Sequence, residues 1–224
     1  GVHTLPLMDM PTSPRPEDCL TATRIVHVAH PAVQTFAKTH AVGADDREKA
    51  VALYYEVRDG CRYDAYGLLL TEYGLSASRV LEIGSGWCVS KAVLLAAACR
   101  AVGIPATLGY ADVKNHLSTE RMRQSMGTDV FYWHGYTAIW LGGEWHKATP
   151  AFNRELCEKF RIHTLEFDGT SDSIYHPYDQ DGRQHMEYLA YRGEFVDVPL
   201  AQMNDDFARY YPAMAEQLSD QDFD

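Results

Sequence analysis

Paired cysteines are missing from this chain. Five cysteines are present (Cys19, Cys61, Cys88, Cys99 and Cys157), an odd number with no CxxC pair and no regular spacing. That argues against a disulfide framework and against a structural zinc site, and makes reduced thiols in a cytoplasmic protein the expectation. Long apolar runs are missing too: none approaches the roughly 20 residues that a membrane-spanning helix needs. The first residues carry four prolines (Pro6, Pro11, Pro14 and Pro16) and no apolar h-region, so no signal peptide is expected there. Gly1 in place of Met points to a processed or tagged chain. Positive charge is scarce, with 20 Lys and Arg against 31 Asp and Glu and a net charge of -11. Such a surface repels phosphate, so neither nucleic acid nor an anionic membrane is an expected partner. Internal repeats, low-complexity tracts and clear linkers are also absent.

What is present fits one globular unit. Apolar residues make up 46% of the 224, enough for a substantial core. Residues 1–18 read as an irregular arm. A helix is expected from Asp45 to Arg58, capped by Asp45 or Asp46 and ended by Gly60. A second helix follows Cys88, with Ser85 as a candidate N-cap, Gly103 past its end and Pro105 preventing continuation. Its middle, Ala92 to Cys99, is apolar almost all round, the pattern of a helix buried on most sides. Ile104–Tyr110, Phe131–Leu141 and Glu144–Thr149 read as strands, the last two joined into a hairpin by Gly142-Gly143. Residues 165–185 are rich in Asp, Gly, Ser and His and read as a long surface loop. A last amphipathic helix is expected over Leu200–Leu218, broken near Pro212.

The chemistry centres on Cys88, in Gly84-Ser85-Gly86-Trp87-Cys88, where a glycine turn becomes a helix. Free N–H groups in a first helical turn favour a thiolate and can receive an oxyanion, and Lys91 one turn on would add positive potential. A buried cysteine is more often a small hydrophobe, as expected for Cys99. His134, in Tyr132-Trp133-His134-Gly135-Tyr136, shares a strand face with Tyr136, Ala138 and Trp140. Histidines on such faces are usually core residues, and this one becomes a base only if a nucleophile lies nearby. In the hairpin register Leu141 opposes Glu144 and Tyr136 opposes Thr149, so Thr149 lies diagonally near His134. Asn153, in the turn after Pro150, is a second candidate for orienting the imidazole. Trp87, Trp133 and Tyr136 are candidate walls of a substrate groove, although most aromatics are core. The loop acids Asp168, Asp172, Asp179 and Asp181, near His176 and His185, read as turn formers rather than a cation site. No cofactor and no metal are expected.

Together, Gly86-Trp87-Cys88, Lys91-Ala92, Leu94–Arg100, Gly103-Ile104-Pro105-Ala106, His134-Gly135-Tyr136, the Gly-Gly hairpin, Trp145 and Thr149-Pro150 resemble the transglutaminase-like superfamily of the papain-like cysteine fold. The resemblance covers about residues 45–155. It implies an α+β fold whose core carries a cysteine at the N-terminus of a buried helix packed on an antiparallel sheet. The implied organisation is a lead-in over 1–44, a core over 45–160 and a C-terminal extension over 161–224 on the same domain. It further implies a Cys-His-Asp triad acting on acyl groups, with Cys88 as nucleophile and His134 as base. Thr149 stands where the family has Asp, so Asn153 or Asp168 is the expected substitute, or the site is weakened. Three readings follow: hydrolysis of a peptide, protein or small amide or ester through a thioester; a binding or scaffold module that has lost turnover; and arylamine-type acyl transfer, for which no coenzyme-binding feature speaks. Without a calcium pattern, hydrolysis is favoured over cross-linking.

Overall fold

The computed structural model describes residues 13–65, 69–117, 120, 123 and 127–211. In chain order the elements are α1 (Pro31–His40), α2 (Asp46–Gly60), β1 (Arg62–Tyr63), α3 (Glu72–Leu75), α4 (Ala77–Ile83), β2 (Ser85–Gly86), α5 (Cys88–Ala101), β3 (Ala106–Asn115), β4 (Val130–Leu141), β5 (Glu144–Ala148), α6 (Arg154–Phe160), β6 (Met186–Phe195) and α7 (Leu200–Tyr210). Strands β5, β4, β3 and β6 form one antiparallel sheet in that order, and β1 pairs with β2 in parallel. The hairpin register is the expected one, with Leu141 opposite Glu144 and Thr137 opposite Ala148.

Helix α5 is the centre of the molecule. Every residue from Cys88 to Arg100 is buried, as its all-round apolar composition requires. It packs on the sheet through β4, where Thr137 Oγ1 donates to Ala92 O at 2.8 Å. Two cations are buried with it, and each is satisfied by main-chain carbonyls. Lys91 Nζ donates to Arg58 O, Cys61 O and Ala151 O at 2.9, 2.6 and 2.9 Å. Arg100 donates to Ala106 O, Thr21 O and Val196 O at 2.9, 2.9 and 2.7 Å. A buried cation without such partners would be strongly destabilising.

The local signals account for part of these boundaries. Asp45 caps α2, accepting from Glu48 N–H at 2.9 Å, and the helix runs on to include Gly60. Gly103 (φ +80°) follows α5, its N–H on Arg100 O. Ser85 is not the N-cap of α5: it lies in β2, and Trp87 takes the cap position with its N–H on Ser90 Oγ at 3.1 Å. Strand β3 starts two residues later than expected and runs on to Asn115, because β6 pairs along that added length. Helix α7 ends at Tyr210 with Tyr211 as its cap, and residues 212–218 of the expected last helix lie outside the described residues, as does most of the N-terminal arm.

Candidate active site

Cys88 is the first residue of α5 and is 5% exposed. Main-chain N–H groups of Gly135, Val89 and Cys88 itself partly offset the burial of its thiol. The Gly135 contact depends on a missing side chain, since a Cβ there would lie 2.9 Å from Val89 Cα and 3.2 Å from Cys88 O. This close approach of β4 to the helix mouth brings the residue after His134 onto the nucleophile candidate.

His134, also 5% exposed, bonds through Nε2 to the Tyr175 hydroxyl at 2.7 Å. The two rings meet edge to face with centroids 4.8 Å apart. Tyr175 is held by its own N–H on the Tyr188 hydroxyl at 3.0 Å and by packing against Phe152. Gly135 lies against the Cys88 backbone and its neighbour His134 bonds to Tyr175, so the three residues Cys88, His134 and Tyr175 share one corner of the fold.

The electrostatics differ from the expectation. Burial pushes the Cys88 thiol up to about 12, and the three N–H groups only partly oppose it. Burial likewise pulls His134 down to about 3. Thiol and imidazole are therefore both neutral near pH 7, and the helix mouth alone does not yield a thiolate. Lys91 does not serve Cys88 either, because all three of its donors are spent on carbonyls; burial pulls it down to about 7.

The other expected residues are placed as follows. Asn153 is buried, and its Oδ1 accepts from Tyr63 N–H at 3.1 Å, while Tyr175 holds the His134 Nε2 bond. Thr149 Oγ1 donates to Ser173 O at 2.8 Å. Asp168 is exposed and closes its own turn, accepting from Thr170 and Ser171 N–H groups. Of the aromatics expected to line a groove, Trp87 packs on Phe207 of α7 and Trp133 on Tyr110 and Phe195. Tyr136 lies over Gly109, close to Tyr191. All three are buried, so none forms an open wall here. Among the described residues no group of three His, Cys, Asp or Glu side chains is placed to hold a metal ion, and no helix is long and apolar enough to cross a membrane.

Sequence reasoning missed Tyr175. The usable signal is Ile174-Tyr175, two adjacent large apolar side chains within a run of polar residues from Asp168 to His176; such a pair marks a loop that docks into the core.

Residues 34–150 match the model of the transglutaminase-like superfamily. No curated protein matches the chain. Solved structures with similar backbones include a candidate cysteine protease of Cytophaga hutchinsonii, 17% identical, with a TM-score of 0.46 over 86% of this chain and 57% of that one. A candidate protease of Parabacteroides distasonis is 19% identical, with a TM-score of 0.39 over 52% of this chain and 22% of that one. The arylamine N-acetyltransferase of Mycobacterium abscessus is 12% identical, with a TM-score of 0.41 over 59% of this chain and 46% of that one. The chain thus spans 22% to 57% of the length of these proteins.

Proposed function

The chain belongs to the transglutaminase-like superfamily, and from that premise we propose that it carries out cysteine-dependent acyl chemistry, with Cys88 as nucleophile, His134 as base and Tyr175 as the group that orients the imidazole. The observation that carries this reading is the close approach of Gly135 to the backbone of Cys88 and Val89 together with the bond of the adjacent His134 to the Tyr175 hydroxyl.

Either tautomer fits that bond, and it is the role of base through Nδ1 that sets the proton positions. If Tyr175 donated to Nε2, the proton of the neutral ring would sit on Nδ1 and leave no lone pair for the thiol. Tyr175 must therefore accept from Nε2–H, which frees Nδ1 as the base. As the Cys88 sulfur bonds to the acyl carbon, its proton passes to Nδ1 and the carbonyl electrons move onto oxygen. N–H groups of the first turn of α5 are the available donors for that oxyanion. Collapse gives a thioester, and the leaving amine or alcohol takes the proton back from the imidazolium. Water then attacks the thioester with His134 again as base, releasing the acid and restoring the thiol.

Substrates in this reading are peptides, proteins or small amides and esters, and hydrolysis is favoured over transfer. Residues 45–160 form the catalytic core, with 161–224 an extension that supplies Tyr175. Asn153 acts through the backbone of Tyr63, and Trp87 and Trp133 border the site. Five free cysteines suit a reducing, cytoplasmic setting.

The test is acylation by p-nitrophenyl acetate followed by intact-mass and peptide mapping. A burst of p-nitrophenolate with one acetyl group on Cys88, lost in Cys88→Ala and at least tenfold slower in His134→Ala, is expected. Absence of the adduct, or equal rates in His134→Ala, overturns the reading. The burial of both reacting groups would then favour a binding or scaffold module that keeps the fold without turnover.

A further inference from the structure

We propose that Arg192, with Asp112 and Asp206, is a positioning residue that fixes the bulge through which β4 presents His134. The claim rests on the assignment of His134 as base and concerns what aims its ring.

In the β3–β4 ladder Ala111 opposes His134 and Val113 opposes Phe131, so Tyr132 and Trp133 together face the single residue Asp112. On the other side of β3, Tyr110 opposes Gly193 and Ala111 opposes Tyr191, which leaves Arg192 as an extra residue in β6. A third irregularity follows at once, since Asp112 opposes Ala190 and Val113 opposes Tyr188, so three bulges cluster around Asp112. Bulges re-aim side chains and are common beside active sites. At the first of them Trp133 adopts φ +59°, a left-handed conformation uncommon for an aromatic residue, which persists only where the surroundings hold it.

The hold is visible at both N–H groups of Trp133. Asp112 Oδ1 accepts from its backbone N–H at 3.1 Å, and Asp206 Oδ2 accepts from indole Nε1 at 2.7 Å. Arg192 joins the two carboxylates, with Nε on Asp112 Oδ1 at 2.8 Å and Nη1 on Asp206 Oδ2 at 3.0 Å. Its guanidinium also lies 5.0 Å from the Trp133 ring centroid. One cation thus ties β3, β6 and α7 around the residue that precedes the candidate base.

The bulge decides which way His134 faces. Phe131 packs with Tyr175, Met186 and Tyr188 on one face of the sheet, whereas Tyr132 and Trp133 both pack with the α5 core. His134 returns to the Tyr175 side, and Gly135 meets Val89. Strict two-residue alternation carried on from Phe131 would turn His134 toward α5 and Gly135 away from it. The extra residue restores the phase that both the imidazole bond and the approach of Gly135 to α5 need.

The test reads the imidazole itself in the full chain. Nitrogen and proton resonances of His134, assigned with His134→Gln, report the Nε2–H bond to Tyr175, and Cys88 acetylation is followed in parallel. Arg192→Met and Asp112→Ala are expected to shift or abolish the His134 Nε2–H signal and to slow acetylation at least tenfold. Asp112→Asn, which keeps an oxygen for Trp133 N–H, is expected to retain more of the signal than Asp112→Ala. A folded Arg192→Met or Asp112→Ala with the wild-type His134 spectrum overturns the proposal. If both fail to fold, Arg192→Lys decides on the same criterion, since an ammonium cannot span both carboxylates. Should wild-type protein not acetylate, the catalytic reading falls while the His134 spectrum still judges the positioning role.

Discussion

Replacing Tyr175 by Phe removes one oxygen and keeps the ring that packs on Phe152 and His134. The deleted atom is the partner of His134 Nε2 at 2.7 Å. Two effects follow. With Nε2 protonated, as the proposed base role requires, a buried N–H of the resting protein loses its acceptor, which costs about 1–3 kcal/mol of stability. During acylation the ring becomes imidazolium, and a hydrogen bond to a charged group contributes about 1.5–3 kcal/mol, or roughly 10- to 150-fold in rate. That is smaller than the ~10⁴ associated with an orienting carboxylate, because a neutral phenol oxygen carries no full charge to offset the imidazolium. Burst kinetics with p-nitrophenyl acetate measure the acylation rate, and urea denaturation measures the stability. Tyr175→Phe within twofold of wild type while folded would refute the assignment. Asn153→Ala is the companion variant. It strips the acceptor from Tyr63 N–H and should change the acylation rate less than about threefold, well below the hydrogen-bond range above. If Asn153→Ala proves the more damaging of the two, the orienting role belongs to Asn153.

Acid should destabilise the fold early. Burial pulls His134 down to about 3 and His185 down to about 4, so the unfolded chain takes up both protons first as pH falls below ~6.5; each histidine then removes up to about 1.4 kcal/mol per pH unit until its native value is reached. Urea midpoints that stay flat from pH 7 to 4.5, or a slope unchanged in His185→Gln, would contradict this. Gly135→Ala should destabilise by about 1–3 kcal/mol and abolish Cys88 acetylation, because the new methyl meets backbone of α5 that cannot step aside; wild-type acetylation in that variant would count against the β4–α5 contact. Lys91→Met should lose at least about 3 kcal/mol in denaturant titrations, since three buried carbonyls lose their donor together, and a loss below 1 kcal/mol would mean that water or side chains replace it.

Much of this architecture is legible in the amino-acid sequence. The α5 run from Cys88 to Arg100 is apolar enough that only a buried helix accommodates it, and Gly142-Gly143 set the hairpin register residue by residue. The nucleophile and base candidates were legible for the same reason: both sit on strongly patterned elements. The rest depended on contacts between distant segments. Strand β6 was missed because its residues alternate poorly, with Leu189 and Ala190 exposed and Arg192 and Gly193 at a bulge. Helices α1, α4 and α6 are short, and their signals are caps such as Ser76 rather than a long stripe. The ionisation of the site was misread because local rules count the N–H groups at a helix mouth and omit the burial around it, which dominates here. Tyr175 reaches His134 across 41 residues of chain, a separation that no periodicity records.

The grip of Arg100 bears on anyone who wishes to excise the core. A fragment trimmed to residues 34–150 would keep the acceptor at Ala106 and forfeit those at Thr21 and Val196. The guanidinium at the far end of the cysteine helix would then be stranded in apolar surroundings, a fault worth several kcal/mol. Useful truncations should therefore begin before Thr21 and continue past Val196, with the two tails treated as rivets of the central helix rather than as trimmings.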